Sequence, residues 1–343
     1  MAPAHAAHAA LSPPELAFVR AALVQQPPIR LDVTKRPRDF RSMRAECDVL
    51  PAANGSARIA LEDGTEALVG VKAELEQTAQ RPPPARPDAR SQHAWLDVTV
   101  AVPGCRDDDA LPVFLASMLS ESLLARGRLT DRLYINRRFH WKLYVDVLLL
   151  SPPLSYPLAL LSMTTHLALQ TTLLPALRSE HDEDPLFNDD WHAAVALYPK
   201  GSAHAPAEKP PVIILAMAVG PNIIFDPCKE ELAVADAVLA IACTNTLAAS
   251  TGARIVSIRT IDPPSHLTPP GIPNSMNSAT GGTVPTSSAD ALTQRELLAT
   301  SGVWTPPRGG MKRSLVSQVA KMVVESGGVA EEVMSALAAI DVG

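Results

Sequence analysis

Between Asn54 and Glu74 the chain spells out a β-hairpin. Ile59 and Leu61 alternate with smaller or polar neighbours, and Glu62-Asp63-Gly64-Thr65 supplies the turn. Leu68, Val69 and Val71 rebuild an apolar strand that ends in Lys72-Ala73-Glu74. This antiparallel pair is the feature that every other segment has to accommodate. Further strands are predicted at Leu96 to Val102, at Leu133 to Ile135 (short) and at Trp141 to Leu150, which is the strongest central-strand candidate. Val212 to Phe225 reads as two strands split around Gly220-Pro221, and Ile255 to Thr260 as one more.

Helices fall between them. Ser12-Pro-Pro-Glu15 has the form of a capping box, Leu16, Val19 and Leu23 mark one face, and Gln26-Pro-Pro28 ends the helix. Leu111 to Ala125 carries Leu115, Met118, Leu119 and Leu123 on its apolar side. Leu158 to Leu177 reads as a long helix, Lys229 to Leu239 as another, and a last pair as lying near 290–300 and 311–340. Strands interleaved with helices indicate layered α/β or α+β packing.

At 343 residues the chain can bury a sizeable core. Its 47% apolar and 19% charged residues fit an ordinary soluble globular protein. The 32 prolines, about twice the usual share, cluster in loops. A formal charge of −6 argues against wholesale nucleic-acid binding, so any RNA contact must come from a local basic patch. Cysteines 47, 105, 228 and 243 show no paired spacing, which fits free thiols in a reducing compartment and no zinc site. Met1 to Ala10 lacks the basic and apolar regions of a signal peptide. The longest apolar run, Val212 to Val219, is far short of a membrane span, so an intracellular protein without a membrane partner is expected.

The wording of five segments, in order, resembles the RNase PH-like family. They are the Gly55-Ser-Ala-Arg58 strand with Leu68-Val-Gly-Val-Lys-Ala-Glu74, then Trp141-Lys-Leu-Tyr-Val-Asp-Val-Leu-Leu-Leu150. Leu158 to Leu177 with its Gln170-Thr-Thr-Leu-Leu-Pro175 ending follows, then Phe225-Asp-Pro-Cys-Lys-Glu-Glu231, then Gly252-Ala-Arg-Ile-Val256. The likeness is greatest to the inactive ring subunits of the RNA exosome. It implies an α+β fold of two β-α halves packing sheets and helices, of the ribosomal S5 domain 2-like kind. The halves are then expected at 12–178 and 212–261. A disordered tail at 1–11, an acidic and Pro-containing linker at 179–211, a disordered insertion at 262–289 and C-terminal helices at 290–343 complete the expected plan.

The departures from the family's pattern bear on chemistry. Its Asp-Gly-Arg connector stands here as Asp32-Val-Thr-Lys-Arg36. Active members follow the central strand with an Asp-Gly turn and Thr-Arg-Thr-Ala at a helix start, where N–H groups and an arginine can hold the attacking phosphate. This chain has Ser151-Pro-Pro-Leu-Ser-Tyr-Pro157 there, without arginine and with prolines that cannot donate an N–H. Asn188-Asp-Asp190 lies near the expected place of a general acid, but its neighbours do not match that motif. No catalytic residue is therefore expected, and no cofactor or metal. The competing reading is an active phosphate-dependent 3′→5′ exoribonuclease.

Basic residues carry the remaining candidates. Lys35, Arg36, Arg38, Arg41 and Arg44 either line an RNA path by neutralising phosphate, or belong to a solvated loop or a subunit interface. Lys35, Arg36 and Arg41 are kept as RNA candidates, with Arg106, Arg126 and Arg128. Arg81, Arg86 and Arg90 form a similar Pro-rich loop. Asp226, Glu230 and Glu231 fit a helix N-terminus that favours acidic side chains. His181 to Asp184 reads as a solvated acidic loop, and Trp141 and Tyr144 as core rather than base-stacking platforms. No Ser/His/Asp triad, P-loop or dinucleotide fingerprint is legible. The resemblance implies a structural and RNA-channel role in an exosome core, serving 3′→5′ RNA processing and decay, rRNA maturation included. Its expected partners are other RNase PH-like ring subunits, RNA-binding cap subunits, a hydrolytic nuclease and RNA, in nucleus, nucleolus and cytoplasm.

Overall fold

The computed structural model describes residues 11–78, 93–125, 128–179, 183–199, 209–245, 252–261 and 311–340. The expected hairpin is present. Strands β2 (Gly55–Leu61) and β3 (Glu66–Gln77) pair antiparallel with Ala60 opposite Glu66. Their turn closes through Asp63, whose carboxylate accepts the Thr65 N–H at 2.8 Å, and through Gly64 at φ 84°. That positive φ suits glycine, which has no Cβ to clash.

Strands β1 (Met43–Cys47), β4 (Leu96–Ala101) and β5 (Phe139–Leu149) extend the hairpin to a five-stranded sheet in the order β1-β2-β3-β5-β4. Only the β4–β5 pair is parallel. Alternation gives this sheet one buried face, with Ile59, Val69, Val145 and Val98, and one outer face, with Arg58, Leu68, Tyr144 and Asp146. Helix α2 (Ala110–Leu124) packs on β4, and the short α3 (Arg128–Leu133) touches β5.

Helix α4 (Leu158–Thr171) is the centre of the molecule. All its residues except Gln170 are buried, because β2 and β3 lie against one side and β8 (Val212–Val219) against another. A helix enclosed in this way must satisfy its own polar groups. Thr164 and Thr165 donate to the carbonyls of Leu160 and Leu161, each at 2.8 Å. Ser162 reaches outward, and so does Thr171, whose hydroxyl also donates to the Ala168 carbonyl at 3.0 Å. Their oxygens accept the N–H of Ile213 (2.8 Å) and of Ser56 (3.1 Å), so the helix is bonded to both sheets. Gly55 admits the end of α4: a Cβ there would lie 2.5 Å from Thr172 Oγ1.

The short strands β6 (Leu173–Leu174) and β7 (Val195–Ala196) pair with one another. The third sheet has the order β11-β10-β8-β9 and adds β9 (Asn222–Phe225), β10 (Ala237–Asn245) and β11 (Ala253–Ile261). Helix α5 (Lys229–Leu232) connects β9 to β10. Helices α6 (Arg313–Val324) and α7 (Val329–Ala338) pack on β11 and β10.

Several segments differ from the sequence reading. The helix expected over Lys229 to Leu239 is helical only to Leu232, and β10 follows it. The long helix stops at Thr171, where the chain turns extended into β6. Leu133 ends α3, and Tyr134 makes only an isolated bridge to His140. Tyr144 faces the outer side of its strand with Lys142 Nζ 5.1 Å from its ring, whereas Trp141 is buried against Phe187. The stretch expected as a linker contributes β7 and the buried Leu197 and Tyr198. Helix α1 (Pro13–Val24) belongs in space with the second half: Arg20 pairs with Asp236 at 2.7 Å, and Asn222 donates to the Leu23 carbonyl at 2.8 Å. The tail, the 81–90 loop, the insertion and the helix near 290–300 lie outside the described residues. No helix among the described residues is long and apolar enough to cross a membrane.

Candidate functional site at the junction of the two halves

The basic connector between α1 and β1 runs along the seam where the hairpin turn, the loop after β5 and the loop after β9 meet. Arg30 opens it. Its guanidinium grips Glu231 through two bonds, Nε to Oε1 at 3.0 Å and Nη2 to Oε2 at 2.8 Å. The pair is dry, with side chains 4% and 1% exposed. Arg30 also donates to the carbonyls of Asp39 (3.2 Å) and Asp226 (2.9 Å), which fastens the connector to the β9–α5 loop. Burial works against the Arg30 charge, but Glu231 outweighs it and raises the pKa. Glu231 in turn accepts the Cys228 N–H at 3.0 Å, so it caps α5 as the sequence suggests.

Arg41 sits at the other end. Its main-chain N–H and Nε both donate to Asp226 Oδ2, at 2.8 and 2.9 Å, and Nη2 donates to Oδ1 at 2.6 Å. Nη1 turns to Asp63 in the hairpin turn (2.6 Å) and to Ser155 in the loop after β5 (2.8 Å). One side chain thus ties four segments of the chain together. Burial disfavours its charge, yet the Asp226 and Asp63 carboxylates hold its pKa above the usual arginine value. Asp63 stays below the usual carboxylate range: burial pushes it up, while the Thr65 bonds and Arg41 pull it further down.

The other candidates are dispersed. Lys35 pairs with Glu62 and, at 3.5 Å, with Asp32. The Arg36 side chain is exposed, and its N–H is used to bond Asp39 at 2.8 Å. Arg106 is 81% exposed and leans on Asp108 at 3.1 Å, with its N–H donating to Asp109. Arg128 is exposed at the start of α3, and Arg126 lies outside the described residues. Arg41 is therefore committed to internal carboxylates, which its sequence neighbours did not reveal. Its partners are 22 and 185 residues away in sequence. Arg30 and Ser155 were likewise missed as members of the seam.

The segment in the place of the phosphate cradle is apolar and proline-bound. Ser151 accepts the Glu66 N–H at 2.9 Å, and Ser155 is occupied by Arg41. Tyr156 is shielded enough for its pKa to rise to about 12. Pro157 occupies the N-cap of α4, and Leu158, Ala159 and Leu160 of the first turn are buried. Asn188 and Asp190 act as turn formers: the Asp190 carboxylate accepts the His192 N–H at 3.0 Å and caps a single 3-10 turn. Among the described residues no group of three or more His, Cys, Asp or Glu side chains can hold a metal ion.

Residues 39–175, from the connector to just past β6, match the 3′ exoribonuclease (RNase PH) family, domain 1. The exosome complex component RRP42 of Saccharomyces cerevisiae is 30% identical over 241 residues, covering 68% of this chain and 82% of that protein. This chain belongs to the RNase PH family. The exosome complex component rrp42 of Schizosaccharomyces pombe is 32% identical over 248 residues, or 67% and 77% of the two chains. Two solved structures share the RNase PH fold with it. An archaeal exosome core chain matches with a TM-score of 0.52 at 22% identity, covering 72% of this chain and 84% of that one. A chain of the Archaeoglobus fulgidus exosome with RNA bound to the active site matches with a TM-score of 0.50 at 21% identity, covering 72% and 87%. The expected α+β fold and family are therefore correct.

Proposed function

We propose that this chain is a non-catalytic, structural subunit of an RNA exosome core, placed in a ring with other RNase PH-like chains. The reading is supported by two of its relatives, both exosome complex components. A single structural observation carries the non-catalytic part: the first turn of α4 follows Ser151-Pro-Pro-Leu-Ser-Tyr-Pro157. An attacking phosphate needs N–H donors and a cation at that turn. Here the Ser151 hydroxyl accepts the Glu66 N–H, Ser155 serves Arg41, and Arg41 serves two carboxylates. RNA passing such a ring would meet Arg36, Arg106 and Arg128 rather than a reacting group. RNA-binding cap subunits and a hydrolytic nuclease would complete the assembly, in nucleus, nucleolus and cytoplasm.

The test is a tagged purification from the native cell, sized by gel filtration and assayed for release of nucleoside diphosphates from RNA. A large assembly containing other RNase PH-like chains, with this chain contributing no phosphate-dependent release, is the expected result. A lone or self-associated protein that releases diphosphates only when phosphate is present would replace this reading with the exoribonuclease.

A further inference from the structure

The β9–α5 loop presents Asp226 and α5 presents Glu231, and a connector arginine grips each carboxylate. The two pairs are not equivalent. Arg30 and Glu231 are sealed, whereas Arg41 and Asp226 keep 13% and 11% of their side chains exposed. Three N–H groups converge on Asp226 and reach both of its oxygens, one from the main chain and two from the planar fork. That is the geometry with which a protein holds a small oxyanion, carboxylate and phosphate alike. Here the anion is tethered to the chain. Asp226 adopts φ 45°, in the left-handed region that side chains other than glycine, asparagine and aspartate rarely enter. The bonds from Arg41 hold it there.

We infer that Arg41, with its own main-chain N–H, forms an oxyanion site that this chain fills from within, Asp226 being the resident anion. The junction is thereby closed to the phosphates of RNA. The surrounding charges reinforce the closure. Arg30 and Arg41 face Asp63, Asp226 and Glu231, so two cations meet three anions, and an incoming phosphate is repelled. Arg41, one of the basic residues that sequence alone offers to RNA, is a lock on the seam. This inference stands on the geometry of the seam and holds whether or not the chain joins a ring.

Chemical rescue of the full-length chain tests it. Asp226→Gly removes the resident carboxylate, and glycine takes the positive φ without steric cost. Thermal unfolding is then followed while sodium acetate or sodium phosphate replaces sodium chloride at constant ionic strength. The expected result is a lowered midpoint that rises by several degrees toward wild type with either anion, because a ligand bound only by the folded state stabilises it. Wild type should show only the general stabilisation that such salts give any folded chain, and adding Arg41→Met to Asp226→Gly should cut the variant's response back to that level. Rescue by acetate alone would still support the site and restrict it to carboxylates. A folded variant whose midpoint rises no more than wild type in both anions would overturn the inference, as would a wild-type chain that gains as much from phosphate as the variant does, which would mean an open site. If Asp226→Gly does not fold in chloride, its refolding yield becomes the readout. Recovery in acetate supports the site, and no recovery while Asp226→Asn folds normally refutes it. The experiment uses neither RNA nor partner, so its failure leaves the ring reading standing.

Discussion

The two large sheets of this protein are built on opposite principles. In the five-stranded sheet β5 alternates strictly at its end, with Val145, Val147 and Leu149 buried while Asp146 and Leu148 are exposed. In the four-stranded sheet every residue of β8 is buried, and every residue of β10 except Asn245. The difference follows from what covers each face. The first sheet lies on α4 with one side and leaves the other side to solvent. The second has α4 on one side and the C-terminal helices on the other. A two-sided cover turns the strand signal from alternation into an unbroken apolar run. Tolerance to substitution should differ between the sheets accordingly, and the largest effect should come where charge enters the dry side.

That place is the Arg30–Glu231 pair beneath β9. Removing one partner of a buried pair strands the other charge without water, which costs about 3–5 kcal/mol. Arg30→Met should therefore destabilise by about 4 kcal/mol, read as a lower urea midpoint. A loss below about 1 kcal/mol would mean that water reaches Glu231 and that the seam is not sealed. Next comes Ile241→Ala in β10, opposite Ile214 and fully buried. A truncation of this kind leaves a cavity between two covered faces and should cost about 3 kcal/mol.

How much of this was legible in the sequence divides along the same line. The hairpin, β5 and the paired strands β8 and β9 were readable, because alternation, a turn tetrapeptide and Gly220-Pro221 each have a local cause. β10 was not. Ala237-Val-Leu-Ala-Ile-Ala-Cys243 lacks a period, and its alanines favour a helix as much as a strand, so only burial on both faces decides it. The long helix was overextended for the reverse reason: Leu173 and Leu174 continue its apolar run, yet they pair with β7. At the seam, Glu231 was legible as a helix cap because its partner lies three residues away. Arg41 looked like a free cation, because Asp63 and Asp226 come to it only once the halves have folded together.

His166 sharpens the contrast from inside the shared helix. It lies fully buried on α4, its Nδ1 2.7 Å from the Pro210 carbonyl oxygen and its Nε2 2.8 Å from Gln170. Burial is the main reason its pKa falls to about 4; the Pro210 bond acts against this, and Lys209 adds to it. The folded protein thus holds a neutral imidazole that the unfolded chain protonates first, near pH 6.5. Its stability contribution is complete above that pH and drains away as pH falls from about 6.5 to about 4. The total is about 3 kcal/mol, at about 1.4 kcal/mol per pH unit. Urea midpoints of wild type and His166→Gln across this range should converge with falling pH. Parallel curves would place the acid sensitivity in the carboxylates of the seam.

The smallest effect is expected on the wet face, and it is the control that gives the comparison meaning. Leu148 stands on β5 beside Leu68 of β3 and Ala101 of β4, with 38% of its surface open to solvent. It is as apolar as Ile241, and propensity or hydropathy alone would rank the two together. Truncation here opens no cavity, because solvent already occupies the outer side and little apolar area is uncovered. Leu148→Ala should stay within about 0.5 kcal/mol of wild type, against the much larger loss at Ile241. Were the two variants to lose similar stability in the isolated chain, the outer face of the five-stranded sheet would have to be covered in solution. The one-sided alternation that defines that sheet would then need a different cause.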